Sequence, residues 1–181
     1  MEIPEDVRAA VGALIAKLQP ACRAARWVRV AGMHVTLKFI GEAPEDKVEQ
    51  VKAELGGVRS PEAAQINFRG VGFFPNAKRP RVFWAGIEAS ANLPPMASEI
   101  EQRLEGMGIP REQREFHPHP TLARFESQDG LPQLHEALEK LAPFDFGAMH
   151  TGEFHLYRSE LKRGGAVYTR LATFPFVETA R

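Results

Sequence analysis

The sequence predicts an α+β fold with antiparallel sheet. Helical and strand-like patterns are mixed along the chain, and they do not alternate in the regular order that is typical of parallel sheets. The second half of the chain repeats the order of patterns in the first half. With 181 residues the chain has the length of one domain, and we expect 1–181 to form a single unit.

Four segments have the spacing of apolar residues that is typical of amphipathic helices. Pro4 and Pro44 each precede two acidic residues, and this arrangement favours the first turn of a helix. The predicted helices cover residues 4–20, 44–55, 93–107 and 131–141.

Strands are predicted where apolar and polar residues alternate or where β-branched and aromatic residues cluster. Turns are predicted at Pro75-Asn76 and at Arg163-Gly164-Gly165. The predicted strands cover residues 27–30, 34–40, 66–68, 81–87, 119–125, 154–157 and 166–174.

The composition restricts the classes of function. The chain carries 23 Lys and Arg and 23 Asp and Glu, so its formal net charge is zero. This balance argues against a long nucleic-acid footprint but allows the capture of one phosphate or one RNA end. Cys22 is the single cysteine, which excludes an intrachain disulfide and a cysteine-based metal site. The sequence has no secretory signal pattern and no apolar run of about 20 residues, so we expect a cytoplasmic protein without a membrane partner.

Two segments share one pattern, a histidine followed two residues later by threonine and then leucine. They begin at His34 and at His119, and the composition gives a chance of two such matches on the order of 10⁻⁴. Because residues i and i+2 of a strand lie on the same face, each motif presents an imidazole and a hydroxyl together. Val35, Leu37 and Phe39 are then expected to face the core, as is Leu122 in the second motif.

Two histidines that face each other suit an in-line displacement at phosphorus. One imidazole removes a proton from the attacking water while the other protonates the departing oxygen, and both roles are open to histidine near neutral pH. The hydroxyls of Thr36 and Thr121 would donate to the non-bridging phosphate oxygens, where negative charge grows. This chemistry requires no metal and no cofactor.

The segments His34–Glu42 and Phe116–Arg124 resemble the paired motifs of the 2H phosphoesterases. The resemblance is closest to the bacterial and archaeal RNA 2′,3′-cyclic phosphodiesterases, historically called 2′-5′ RNA ligases, and it covers nearly the whole chain. Further segments that carry it are Trp27, Pro80–Gly86, Leu156–Ser159 and Gly164-Gly165.

The resemblance implies a bilobal fold, in which two pseudo-symmetric lobes carry helices on the outside and flank a central cleft with both motifs. It implies metal-independent hydrolysis of 2′,3′-cyclic phosphates, on RNA ends or nucleotides, to 2′-phosphomonoesters. His34 would be the proton donor and His119 the proton acceptor that activates water. Members of the family begin with a short apolar strand, and because only Met1 to Ile3 precede Pro4 here, we expect that edge strand to be absent.

Two further residues are expected to bind substrate. In family members the arginine that matches Arg124 packs on the base of the bound nucleotide, with a surface salt bridge as the alternative role here. Strict strand alternation would place Arg124 opposite His119, so the strand must bend or end for this role. Phe73 or Phe74 could supply the opposing stack, with Phe74 as the candidate substrate contact, and core packing is the favoured alternative for both.

Other interpretations stay open. If the protein catalyses the reverse reaction, it is a reversible 2′-5′ RNA ligase acting on tRNA halves. If it binds RNA ends without turnover, it is a non-catalytic RNA-end-binding module. His117 and His119 have the spacing of a metal pair, but no third ligand has convincing spacing. The basic segments Lys78–Arg81 and Arg158–Arg163 either steer RNA or form solvated turns. We expect a monomer.

Overall fold

The computed structural model describes residues 1–163 and 165–177 and confirms the α+β class. A 3-10 turn at Val30–Gly32 precedes the first motif. In chain order the elements are α1 (Glu5–Leu18), β1 (Arg26–Trp27), α2 (Glu45–Leu55), β2 (Ala64–Phe74), β3 (Val82–Ala89), α3 (Leu93–Glu105), β4 (Thr121–Arg124), α4 (Leu131–Leu141), β5 (Asp145–Thr151), β6 (Glu153–Lys162) and β7 (Gly165–Pro175).

The strands form two antiparallel sheets. The larger sheet has the order β1-β4-β3-β2-β5, and the smaller one is the β6–β7 hairpin. Helix α1 packs against β5 and α4, while α2 packs against α3. All four predicted helices are confirmed, and the apolar face predicted for α1 is the face that is buried.

The two faces of the five-stranded sheet have different roles. Phe73, Phe83 and Ala123 are paired across β2, β3 and β4. The ring of Phe73 stacks on that of Phe83 and meets His135 of α4 edge to face. Gly72, Trp84 and Thr121 form the next paired row, and they belong to the opposite face because side chains alternate along a strand. We call this opposite face, which carries Phe74, Trp84, Thr121 and Arg124, the motif face.

The predicted strand over 34–40 is wrong. In this segment the structure contains only an isolated antiparallel bridge between Glu2 and His34, and residues 35–40 are not part of any strand. A strand needs a neighbour to continue its ladder, and here the pairing stops after two backbone bonds between Met1 and Val35. Val35 is buried as predicted, but Phe39 is 71% exposed and does not face the core.

Strand β5 was not predicted from the sequence. It contains glycine and alanine at 147–148, and its buried residues Phe146 and Met149 are three positions apart instead of two. The irregular spacing has a structural cause, because the β2–β5 register shifts between Phe68 and Arg69 and leaves Phe146 as an extra residue. The predicted hairpin is present and longer than expected, while Gly164 of its predicted turn lies outside the described residues.

The described helices include none with the length and apolar character needed to cross a membrane.

Candidate active site

His119 lies two residues before β4 and is held by a nearby backbone carbonyl and by aromatic neighbours. Its Nδ1 lies 2.6 Å from the carbonyl oxygen of His117. The ring of Phe74 lies 5.0 Å from the imidazole, centroid to centroid, and that of Trp84 lies 6.1 Å away. Trp84 can reach this position because it lies over Gly72, where a Cβ would come within 2.1 Å of the indole.

His34 is held in the same way by a different part of the chain. The 3-10 turn at Val30–Gly32 ends immediately before the motif, and Nδ1 of His34 lies 2.9 Å from the carbonyl oxygen of Gly32. The aromatic neighbours come from the β6–β7 hairpin. Tyr168 meets the imidazole edge to face at 4.6 Å, and Tyr157 lies 5.8 Å away.

The two histidines therefore share one hydrogen-bond pattern, from Nδ1 to the carbonyl two residues earlier. A carbonyl oxygen can only accept, so Nδ1 must carry the proton in both rings. The neutral imidazole then presents Nε2 as an acceptor, and the charged imidazole presents it as a donor. Each histidine is thus oriented to exchange a proton at Nε2.

The pKa of each motif histidine lies below the ordinary value of 6.5. Burial is the main cause at His34, and the bond to Gly32 partly opposes it. Burial also lowers the pKa of His119, and the charges of His117 and Arg124 lower it further, while its bond to the His117 carbonyl opposes them. Removal of a charged imidazole from water disfavours the protonated form, which explains the common direction.

A bulge in β4 places Arg124 on the same face as Thr121. Thr121 pairs with Trp84 and Ala123 with Phe83, so Leu122 is an extra residue in this strand. Leu122 and Ala123 are consecutive and both fully buried, while Thr121 is half-buried and Arg124 is exposed. The strand thus bends, which is one of the two conditions that would allow Arg124 to lie on the same side as His119. His119 contacts Phe74 and Trp84, so it shares the motif face with Thr121 and Arg124. In the first motif Thr36 is exposed beside the buried Val35.

The structure separates the roles of the two phenylalanines that the sequence analysis considered, and it adds two aromatic residues that were not predicted. Phe73 belongs to the core, whereas Phe74 contacts Trp84 and His119 on the motif face. The contacts of Tyr157 and Tyr168 with His34 were not predicted. The predicted hairpin places the chain's two tyrosines on adjacent strands, so their closeness to each other could have been predicted. Nothing in the sequence indicates that the hairpin contacts the first motif.

A buried ion pair ties the first motif to the segment that leads to the second. Nζ of Lys38 lies 2.8 Å from the Glu101 carboxylate and donates to the Pro110 carbonyl at 2.6 Å. The Lys38 side chain is 4% exposed and that of Glu101 is 17% exposed. The same Glu101 oxygen accepts from the backbone nitrogen of Glu112 at 3.2 Å.

No group of three or more His, Cys, Asp or Glu side chains is placed to hold a metal ion within residues 1–163 and 165–177. His117, the other half of the possible metal pair, is exposed and its ring lies 6.3 Å from Phe74. Two surface cavities, of about 270 and 220 Å³, are not lined by either motif histidine.

The sequence matches one family twice. The family described as LigT like phosphoesterase matches residues 1–84 and again residues 87–168. His34 lies 33 residues after residue 1 and His119 lies 32 residues after residue 87, so the two motifs occupy equivalent places in the two matches. A duplicated α+β unit with one such motif in each half defines the 2H phosphoesterase class. Within it, the chain belongs to the LigT-like phosphoesterase family.

Relatives and solved structures agree with this assignment. An RNA 2′,3′-cyclic phosphodiesterase of Aeropyrum pernix is 37% identical over 139 residues, which cover 76% of this chain and 78% of that protein. Another, of Thermus thermophilus, is 35% identical over 181 residues, which cover 95% of this chain and 85% of the relative. The crystal structure of E. coli LigT complexed with 3′-AMP matches with a TM-score of 0.80 and 26% identity, covering 98% and 95% of the two chains.

We predict that Lys38→Met lowers the free energy of unfolding by about 3 kcal/mol, because it leaves the Glu101 carboxylate buried without its charge partner. Lys52→Met is the matched control, since its partner Glu49 is exposed and such a surface pair contributes less than about 1 kcal/mol. Urea unfolding of both variants measures the difference. Lys38→Met/Glu101→Leu should recover part of the loss, and a double variant no more stable than Lys38→Met would contradict this explanation.

Proposed function

We propose that this protein hydrolyses 2′,3′-cyclic phosphates, on RNA ends or on nucleotides, to 2′-phosphomonoesters. The observation that carries the proposal is the shared arrangement of His34 and His119, each fixed through Nδ1 and free to exchange a proton at Nε2. Family membership and the names of the relatives support the same reaction. The reaction needs an acid and a base at opposite sides of one phosphorus, and the two motifs supply one of each.

In the proposed mechanism water attacks phosphorus in line with the P–O3′ bond. Nε2 of His119 takes the proton from water as the new P–O bond forms, and Nε2 of His34 gives its proton to O3′ as the P–O3′ bond breaks. The phosphate stays on O2′. The hydroxyls of Thr36 and Thr121 donate to the non-bridging oxygens as their negative charge grows. No metal takes part.

Electrostatics support this assignment of roles. The guanidinium of Arg124 and the ring of His117 oppose protonation of His119, which suits a base that must start neutral. The pKa of His34 is lowered mainly by burial, and no side-chain charge of the described residues is among the causes. His34 therefore has less cationic opposition to starting as the protonated acid.

Arg124 and Phe74 are the proposed contacts to the nucleoside. Both lie on the motif face, and the guanidinium is exposed and available to pack on a base. Phe74 already contacts His119 and Trp84, so it acts as a wall beside the base catalyst. We further propose a cytoplasmic location, which the free and buried Cys22 supports because thiols stay reduced there. We also propose that the protein is a monomer.

The decisive experiment is incubation of the purified protein with 2′,3′-cyclic nucleotides, with and without EDTA. We expect 2′-phosphomonoesters in both arms, identified by chromatography against the 2′- and 3′-isomers. Accumulation of 3′-isomers would contradict the proposed bond cleavage. Complete loss of activity with EDTA, restored by zinc or manganese, would exclude the metal-free mechanism. Joined product from added tRNA halves would indicate the ligase instead.

We predict that His34→Ala and His119→Ala each lower kcat by about 10²–10⁴, the usual contribution of a positioned proton transfer. A phosphodiester with a 4-nitrophenolate leaving group should restore the rate of His34→Ala only, because this group departs without a proton while water still needs a base. His150→Ala, at an exposed histidine of β5, is the control and should keep the full rate. Rescue of His119→Ala alone would reverse the two roles.

We predict a bell-shaped dependence of kcat/KM on pH, with its maximum below pH 6.5. Activity falls at low pH when the base becomes protonated and at high pH when the acid loses its proton, and both motif histidines have a lowered pKa. Arg124→Gln removes a positive charge near His119, so it should raise the pKa of His119. The limb of the profile that follows this pKa should then move to higher pH. A profile that keeps both limbs in place would show that Arg124 does not act on this histidine.

A further inference from the structure

We propose that the turn between β2 and β3 binds the phosphates of the RNA chain that carries the cyclic end. This inference rests on the proposed function and narrows it to a preference for oligonucleotides over cyclic mononucleotides. The two basic segments found in the sequence, this turn and the β6–β7 hairpin, are not equivalent in the structure, and three observations favour the turn.

The turn starts directly at the motif face. Phe74 is the last residue of β2, and its ring lies 5.0 Å from that of His119 and 6.3 Å from that of His117. Lys78 and Arg79 follow four and five residues later and are exposed. Their backbone nitrogens both donate to Oδ1 of Asn76 at 3.0 Å, so the turn has a defined shape that presents both side chains to solvent.

The cations of the turn are available, whereas most of those of the hairpin are engaged. Among the described residues, no carboxylate lies within 4 Å of the charged groups of Lys78 and Arg79. In the hairpin, by contrast, Arg158 pairs with Glu45 at 3.2 Å and Lys162 with Glu160 at 3.9 Å, and Arg170 pairs with Glu2. The positive and negative charges of the whole chain balance. The positive charge of Lys78 and Arg79 beside the second motif is therefore a property of this part of the surface and not of the whole protein.

A row of paired residues connects the proposed nucleoside contact with the turn. Arg124 pairs with Val82, and Val82 pairs with Phe74, so the row crosses from β4 to β2 on the motif face. The row spans two strand spacings, about 10 Å. Arg124 has no carboxylate within 4 Å in the described chain, and Glu126, two residues further on, pairs with Arg26 at 2.9 Å. Arg124 therefore lies at one end of this row, and the turn that carries Lys78 and Arg79 starts at the other end.

Exposed cations beside planar groups suit the flexible backbone of single-stranded RNA, in which each phosphate carries one negative charge. Single-stranded nucleic acid is held by cations that follow its phosphates, together with planar groups on which bases stack. Each phosphate contact contributes through the release of counterions, so binding weakens as salt rises. A cyclic mononucleotide has no further phosphate to reach the turn, and the turn should therefore act on longer substrates alone.

The test compares a cyclic mononucleotide with a short oligoribonucleotide that ends in a 2′,3′-cyclic phosphate. Lys78→Gln/Arg79→Gln should raise KM for the oligonucleotide about fivefold to tenfold, as expected for the loss of two exposed charge contacts. The same variant should leave kcat and KM for the mononucleotide unchanged. The slope of log KM against log salt for the oligonucleotide should fall by about 1.4, which is 0.7 for each contact. Arg158→Gln/Lys162→Gln is the matched control with the same loss of charge, and it should change KM for neither substrate.

Three results would overturn the proposal. The turn variant could keep the wild-type KM for the oligonucleotide, the hairpin variant could produce the predicted loss instead, or wild-type KM could show the same salt dependence for both substrates. The last comparison needs no variant and holds even if a substitution affects folding. Failure of the wild-type protein to hydrolyse either substrate would instead refute the proposed function itself.

Discussion

The buried pair of Lys38 and Glu101 connects the two halves of the site without touching either histidine. An ammonium group that is almost fully removed from water is tolerated only where charge and hydrogen-bond partners replace its hydration, and Lys38 receives both from Glu101 and Pro110. Lys38 is four residues after His34, and the backbone at Glu112, which shares the same carboxylate, is seven residues before His119. A change at this pair would therefore shift both motif segments relative to each other, and proton transfer between fixed groups is sensitive to such shifts.

The bulge in β4 has a comparable effect over a shorter range. In a regular strand Thr121 and Arg124 would lie on opposite faces, and one of them would point into the core. The extra residue Leu122 lets two consecutive side chains enter the core and returns Arg124 to the motif face. The Thr121 hydroxyl, the Arg124 guanidinium and the His119 imidazole thus lie on one face, within the segment 119–124. The Arg124 guanidinium on this face is one of the charges that lower the pKa of His119.

Local patterns predicted much of this structure, and contacts between distant segments account for what they missed. Helix α1 was predictable because its apolar spacing and acidic first turn act within the helix itself. Strand β5 was not, because a bulge against β2 produces the spacing of Phe146 and Met149. The exposure of Phe39 reflects a strand that finds no partner after Val35, which no alternation of residues can reveal. Likewise the motif histidines were evident from their repeat, whereas Tyr168 joins His34 only because the hairpin folds back over the first motif.

The charge distribution around the proposed base raises a requirement for the substrate. Arg124 and His117 help to lower the pKa of His119, and in the proposed mechanism His119 becomes positively charged once it has taken the proton from water. In the empty site that charge would lie in partly buried surroundings beside other cations, which is unfavourable. A phosphodiester brings one negative charge to this position, and the charge on its non-bridging oxygens grows as water attacks. The cations that oppose protonation of the free histidine then also stabilise the substrate that makes protonation possible. On this reasoning the base is inactive until an anion is bound, and the reaction is confined to substrates that bring their charge to the motif face.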